Sequence, residues 1–227
     1  MKAILLAAGF GTRLRPLTDH IPKCLVTIND QPLLDIWLED LTKAGIGPFL
    51  INTHYLNEKV EGYVKGCRYK DQITMVYEEQ LLGTAGTLRA NSAFFNNEDG
   101  MLIHADNYCI ADFDSFLETH QKANKDSLLT MMSFQTTTPQ SCGILELNSE
   151  GVVIGFHEKA ASPPGNLANG AVYILKNELI EKIAKGTCSD FSTEVLPELM
   201  GRIQNFENKG IHIDIGTPEM YKFAQEI

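Results

Sequence analysis

Residues 7–23, AAGFGTRLRPLTDHIPK, place two glycines beside three basic side chains, Arg13, Arg15 and Lys23. Gly9 and Gly11 permit a tight turn whose amides can approach a phosphate closely. Arg13 can hold phosphate oxygens through its planar fork, and Lys23 offers a point charge. No Gly-Lys-Ser/Thr follows, so this is not a Walker A loop, and the third glycine of the dinucleotide fingerprint is missing. A lone Gly-x-Gly is ordinarily just a turn; the basic content is what points to phosphate. A second candidate is Asp106, at the end of the apolar run in MLIHADNY, and a third is Asp214 in HIDIGTPE. Each carboxylate falls where a strand should end, a position suited to a hard divalent cation or, more ordinarily, to capping a turn.

The elements that would position these residues alternate. Strands are expected over Lys2–Ala7, Phe49–Thr53, Ile73–Tyr77 and Gly100–His104. Helices are expected over Pro32–Ala44, Asn57–Lys65 and Thr87–Phe95. That alternation predicts an α/β fold, a Rossmann-like, mainly parallel sheet flanked by helices, with the loops after the strands along one edge. The second half is less regular. Strands are expected over Leu128–Phe134, Gly143–Leu147, Val152–His157 and Gly170–Leu175, with helical turns over Ile180–Ala184 and Glu194–Met200. A last strand near Ile211–Asp214 should precede a short C-terminal helix. With no linker or repeat, the reading is one domain over 1–227. About 1–110 forms the half that carries the glycine-rich, basic loop, and about 111–227 a mixed, substrate-covering half.

Composition narrows the function classes. Hydrophobic residues at 44% and charged residues at 21% describe an ordinary globular chain. A net charge of −10 disfavours nucleic acid and anionic membranes as partners, while a local Arg/Lys cluster can still bind a small phosphate ligand. The five cysteines show no metal or disulfide spacing, so reduced thiols are expected. The apolar opening is too short for a membrane span and carries no signal-peptide pattern, which predicts a cytoplasmic protein. The six histidines form no catalytic or zinc set, and no Gly-x-Ser-x-Gly nucleophile stands out.

GFGTRLRPLT followed by IPK and Gln31–Pro32 resembles the signature of sugar-1-phosphate nucleotidylyltransferases. The rest of the chain agrees in order: LGTAG at 82–86, Asp106, FHEK at 156–159, NGAVYIL at 169–175 and IDIGTPE at 213–219. The resemblance spans essentially the whole chain, and six strings in this order make it specific. It implies that an NTP and a sugar 1-phosphate are the partners and Mg²⁺ the cofactor, held by Asp106 and Asp214. It implies catalytic roles for Arg13, Lys23 and Asp106. Nucleotide binding would fall to Ala7, Ala8, Gly9, Gly11, Thr12, Arg13, Glu78, Gly83 and Thr84. Sugar-phosphate binding would fall to Lys23, Asn107, Gly143, Glu158, Lys159 and Asn169.

The chain departs from the family pattern in three places. Ala105–Asp106–Asn107 stands where relatives usually have Gly-Asp, and Ala160 follows Glu158–Lys159 where they have Pro. Glu78 replaces a frequent Gln; a carboxylate can accept from the N1–H and N2–H₂ edge of guanine, which favours GTP, with mannose 1-phosphate the first sugar to try. Other readings stay open: a uridylyl-, thymidylyl- or cytidylyltransferase (the last acting on a phospho-alcohol such as phosphocholine), a glycosyltransferase, or a silent nucleotide-sugar sensor. The glycosyltransferase would need an Asp-x-Asp motif, and Asp112–Phe113–Asp114 has only the letters. A sensor would predict loss of Lys23, Asp106 or Asp214, and all three are present. A chain ending at Ile227 leaves no room for a hexapeptide-repeat domain, which predicts a monofunctional enzyme. Homo-oligomerisation remains open, since one sequence does not assign its edge strands.

Overall fold

A computed structural model describes residues 1–227. In chain order the elements are β1 (Lys2–Leu6), β2 (Thr27–Ile28), β3 (Gln31–Pro32), α1 (Leu33–Lys43), β4 (Phe49–Thr53), α2 (Asn57–Gly66), β5 (Ile73–Tyr77) and α3 (Thr84–Ala90). They continue with β6 (Gly100–His104), β7 (Tyr108–Ile110), α4 (Phe113–Lys122), β8 (Leu129–Gln135), β9 (Gly143–Leu147), β10 (Val152–Glu158) and β11 (Leu167–Leu175). The last four are α5 (Asn177–Lys185), β12 (Ile203–Glu207), β13 (Ile211–Ile213) and α6 (Pro218–Gln225). They form two compact units: Met1–Leu81 with Ile103–Ala111 and Gly210–Ile227, and Leu82–Leu102 with Asp112–Lys209. The chain therefore enters the first unit three times, an arrangement that division by sequence position cannot express.

In the first unit, β1, β4 and β5 run parallel, with β1 paired to β4 (Ala3↔Phe49) and β4 to β5 (Phe49↔Ile73). Every residue of β4 is buried, as expected of a strand covered on both faces. Helix α1 is amphipathic: Leu33, Leu34, Ile36, Trp37, Leu38 and Leu41 are buried, and Gly45, at φ +71°, follows its end. Pro32 lies just before the helix rather than in its first turn. β13 returns from far along the sequence to pair antiparallel with β7 (His212↔Cys109). Ile213 and Ile215 pack with Leu14, Val26, Leu33 and Tyr108 in a local apolar cluster. That packing delivers Asp214 to the loop after β1.

The second unit is mixed. β8 runs antiparallel to β11 and parallel to β12, and β10 is antiparallel to both β12 and β9.

Several elements differ from expectation. α3 begins at Thr84, three residues before the expected start at Thr87. The Ser189 carbonyl accepts from the amides of Ala85 (2.9 Å) and Gly86 (3.2 Å), satisfying donors that a helix start leaves open. Helical structure expected over 194–200 is a π turn over Phe191–Val195 followed by a 3₁₀ turn over Leu196–Leu199. Asp190 accepts from the Thr193 amide at 2.7 Å and starts that turn early. α4, β7 and β12 were not anticipated, and no helix of the chain is long and apolar enough to cross a membrane.

Candidate active site

In the first unit, the loop after β1 folds back through short 3₁₀ turns at Thr12–Leu14 and Lys23–Leu25. Gly11 sits at φ +62°, where a side chain is strained, and an added Cβ would meet Thr18 Cγ2 at 3.0 Å and Lys23 Cβ at 3.3 Å. The buried Thr18 hydroxyl donates to the Gly11 carbonyl at 2.7 Å and closes the loop. Outside it, Tyr55 donates to the Thr18 carbonyl at 3.0 Å.

The charges meet at Lys23. Its ammonium donates to Asp106 Oδ2 at 3.0 Å and to Asp214 Oδ1 at 3.2 Å, while Arg13 Nη2 donates to Asp214 Oδ2 at 3.2 Å. The Lys23 side chain is 7% exposed, whereas those of Asp106 and Asp214 are 42% and 48% exposed. Partners 83 and 191 residues distant in sequence thus converge on one buried cation. Partial desolvation works against ionising Asp106, but the Lys23 ammonium, His104 and hydrogen bonds outweigh it and hold the carboxyl below its ordinary value. Burial pushes the neighbouring Cys24 thiol up to about 12, so it stays protonated. Gly11, Thr12, Arg13, Lys23, Asp106 and Gly216 line an open cleft of about 140 Å³. Arg15, grouped with these charges from sequence, instead pairs with Asp19 at 3.1 Å on the surface.

The carboxylates suit Mg²⁺ in one manner. Both are hard oxygen donors, and no third His, Cys, Asp or Glu completes a cage. Mg²⁺ is commonly held in this way, by one or two carboxylates together with substrate phosphates.

Ala7 and Ala8 are buried at the end of β1, and Gly9 and Thr12 are exposed. Asn52 Oδ1 accepts from the Ala7 amide at 2.8 Å, and Asn52 Nδ2 donates to Glu78 Oε1 at 3.0 Å. Glu78 is only 4% exposed. Its carboxylate faces inward and, through Asn52, supports the strand that launches the phosphate loop. Asn107 is also buried, and its carbonyl accepts from Trp37 Nε1 at 2.9 Å.

In the second unit, Gly83 (φ +79°) precedes α3, and a Cβ there would collide with the Ser189 carbonyl oxygen at 2.3 Å. Thr84 Oγ1 accepts from the Phe191 amide at 2.7 Å, so its hydroxyl serves the fold. Gly143 lies opposite Glu158 across β9 and β10, and a Cβ on it would meet Phe156 at 2.5 Å and Glu158 Oε2 at 2.7 Å. Glu158 and Lys159 are exposed neighbours at the end of β10, with Nζ and Oε1 3.6 Å apart. Asn169 sits at a bulge in β11, donating to Tyr173 Oη at 2.7 Å and accepting from Ala171 N at 2.9 Å. Gly143, Glu158 and Lys159 therefore share one strand end.

Sequence reasoning passed over Thr18, Asn52 and Gly216. Asn52 gave a signal, a polar residue inside the apolar strand FLINT; Thr18 and Gly216 lay inside strings already quoted.

The nucleotidyl transferase family profile matches residues 2–226. The chain belongs to this family. Among curated nucleotidyl transferase relatives, it is 32% identical over 225 residues to a putative mannose-1-phosphate guanyltransferase of Sulfolobus acidocaldarius, covering 97% of this chain and 61% of that protein. It is 29% identical to the mannose-1-phosphate guanylyltransferase of Mycobacterium tuberculosis, covering 96% and 61%. The chain thus spans about three fifths of the length of these relatives. Among solved structures, HddC from Yersinia pseudotuberculosis, complexed with GMP-PN, superposes with a TM-score of 0.83 at 26% identity, over 99% of this chain and 98% of that one. A UDP-glucose pyrophosphorylase complexed with UDP-glucose gives a TM-score of 0.83 at 23% identity, covering 99% and 97%, and shares the fold. The expected α/β architecture is therefore that of nucleotide-diphospho-sugar transferases.

Proposed function

We propose that the protein transfers a nucleoside monophosphate from an NTP to a sugar 1-phosphate, releasing pyrophosphate and forming an NDP-sugar. The observation that carries this reading is the meeting of Lys23, Arg13, Asp106 and Asp214 beside the Gly9–Gly11 turn. Two cations in a small open cleft suit a polyphosphate, and two carboxylates suit the Mg²⁺ that accompanies it. Mg²⁺ bound there would neutralise phosphate charge. In the transfer itself, a phosphate oxygen of the sugar 1-phosphate attacks the α-phosphorus, and pyrophosphate leaves from the opposite side. Lys23 and Arg13 bear the negative charge that spreads over the phosphoryl oxygens, so positioning and charge neutralisation carry the catalysis. No side chain needs to act as a covalent nucleophile.

GTP and mannose 1-phosphate are the first pair to try. Support comes from relatives named as mannose-1-phosphate guanyltransferases and from the neighbour complexed with GMP-PN, rather than from the inward-facing Glu78. Gly143, Glu158, Lys159 and Asn169 are the proposed sugar-phosphate residues, through hydroxyl-binding carboxylate and amide groups and one ammonium. The test is a matrix of four NTPs against several sugar 1-phosphates with Mg²⁺, read by pyrophosphate release. Release in the GTP and mannose 1-phosphate well is expected; silence in every well would end the proposal.

A further inference from the structure

Lys23, Arg13, Asp106 and Asp214 form a closed set of two positive and two negative charges. Asp214 spends both oxygens on the two cations, and Asp106 spends one on Lys23. The ammonium thus sits between the two carboxylates that would hold a divalent cation. We propose that Lys23 is an internal counter-ion that keeps Asp106 and Asp214 from binding a divalent cation until a triphosphate draws the ammonium away. The inference rests on the nucleotidyl-transfer reading of this site.

Lys23 is nearly buried, at 7% side-chain exposure, so its ammonium is held in place by the carboxylates rather than shared with water. A divalent cation held by Asp106 and Asp214 would stand beside that ammonium, and like charges so close together repel. A triphosphate offers Lys23 and Arg13 stronger, charge-assisted acceptors, and each cation that turns to phosphate releases a carboxylate oxygen. Metal and triphosphate should therefore favour each other's binding, since such coupling is reciprocal. The free protein would spend little time with metal bound and no substrate.

Removing the ammonium should expose the latent site. Mn²⁺ binding to the nucleotide-free protein, followed by electron paramagnetic resonance, gives a readout independent of catalysis. Lys23→Met, close to lysine in shape, should bind Mn²⁺ at least about tenfold more tightly than wild type, equivalent to about 1.4 kcal/mol. Lys23→Arg keeps the charge and should stay weak. Lys23→Met/Asp214→Asn should lose the gain. If circular dichroism shows Lys23→Met to be unfolded, Lys23→Gln takes its place. Unchanged or weaker Mn²⁺ affinity in the folded variant, or a gain undiminished in the double variant, would overturn the proposal. Because the titration contains neither NTP nor sugar phosphate, its failure is separable from a silent pyrophosphate assay.

Discussion

Gly216→Ala isolates the geometry of the charged cluster from the stability of the fold. Its added Cβ would stand 2.7 Å from Arg13 Nη2, 2.8 Å from Arg13 Cζ and 2.9 Å from Asp214 Oδ1. Ordinary contact begins near 3.4 Å, so one or both side chains must retreat by about 0.7 Å. Both are flexible ends and largely exposed, at 65% and 48%, so the ion pair itself contributes roughly 0–1 kcal/mol to stability. Replacing glycine where its φ is ordinary also restricts the unfolded chain, an offset of roughly 0.4–1 kcal/mol. The net change in Tm should then stay within about 4 °C for a chain of this size. Catalysis is less forgiving: a misplacement near 1 Å can cost about a hundredfold, so kcat should fall roughly 10- to 100-fold. Thermal unfolding followed optically and steady-state pyrophosphate release measure the two effects on one preparation. Wild-type kcat in a folded variant would refute the reasoning. So would a collapse in Tm, which would mean that Gly216 matters through its backbone.

Asn52→Leu should destabilise the protein by roughly 2–5 kcal/mol in urea unfolding, because it removes the acceptor of the buried Ala7 amide and the donor to the buried Glu78 carboxylate. An unchanged midpoint would show that neither bond matters. His120 is buried against Thr130 and Asp99, and burial lowers its pKa from 6.5 although Asp99 opposes the shift. The unfolded chain therefore takes up the proton first, and stability should fall as pH drops below 6.5. His120→Gln should flatten the Tm difference between about pH 7.5 and about pH 5.5; an equal slope in both proteins would contradict this.

How much could be read in advance depended on where each instruction lay. β4, β5 and β6 were legible to the residue because an apolar run bounded by turn residues is a local signal. The start of α3 was not, since its first amides are satisfied by the carbonyl of Ser189, about a hundred residues further on. β12, with the sequence IQNFE, has no clean alternation, and its parallel place beside β8 is what makes it a strand. In the site, Arg13 and Lys23 were legible from their basic content in an acidic chain. Spacing carried no hint that Asp106 and Asp214 meet; only the family resemblance implied the pairing, and the β7–β13 ribbon is its physical cause. The burial of Glu78 was not legible, because two adjacent glutamates give no sign of which is buried and Asn52, its partner, lies on another strand.

The central claim is that Lys23 and Arg13 stabilise a transferring phosphoryl group, and single-turnover nucleotidyl transfer in their variants tests it most directly. With saturating NTP, sugar 1-phosphate and Mg²⁺, folded Lys23→Met and Arg13→Met should each lose roughly 3 kcal/mol of transition-state stabilisation, on the order of a hundredfold or more in rate. Two folded variants turning over at the wild-type rate would contradict the account.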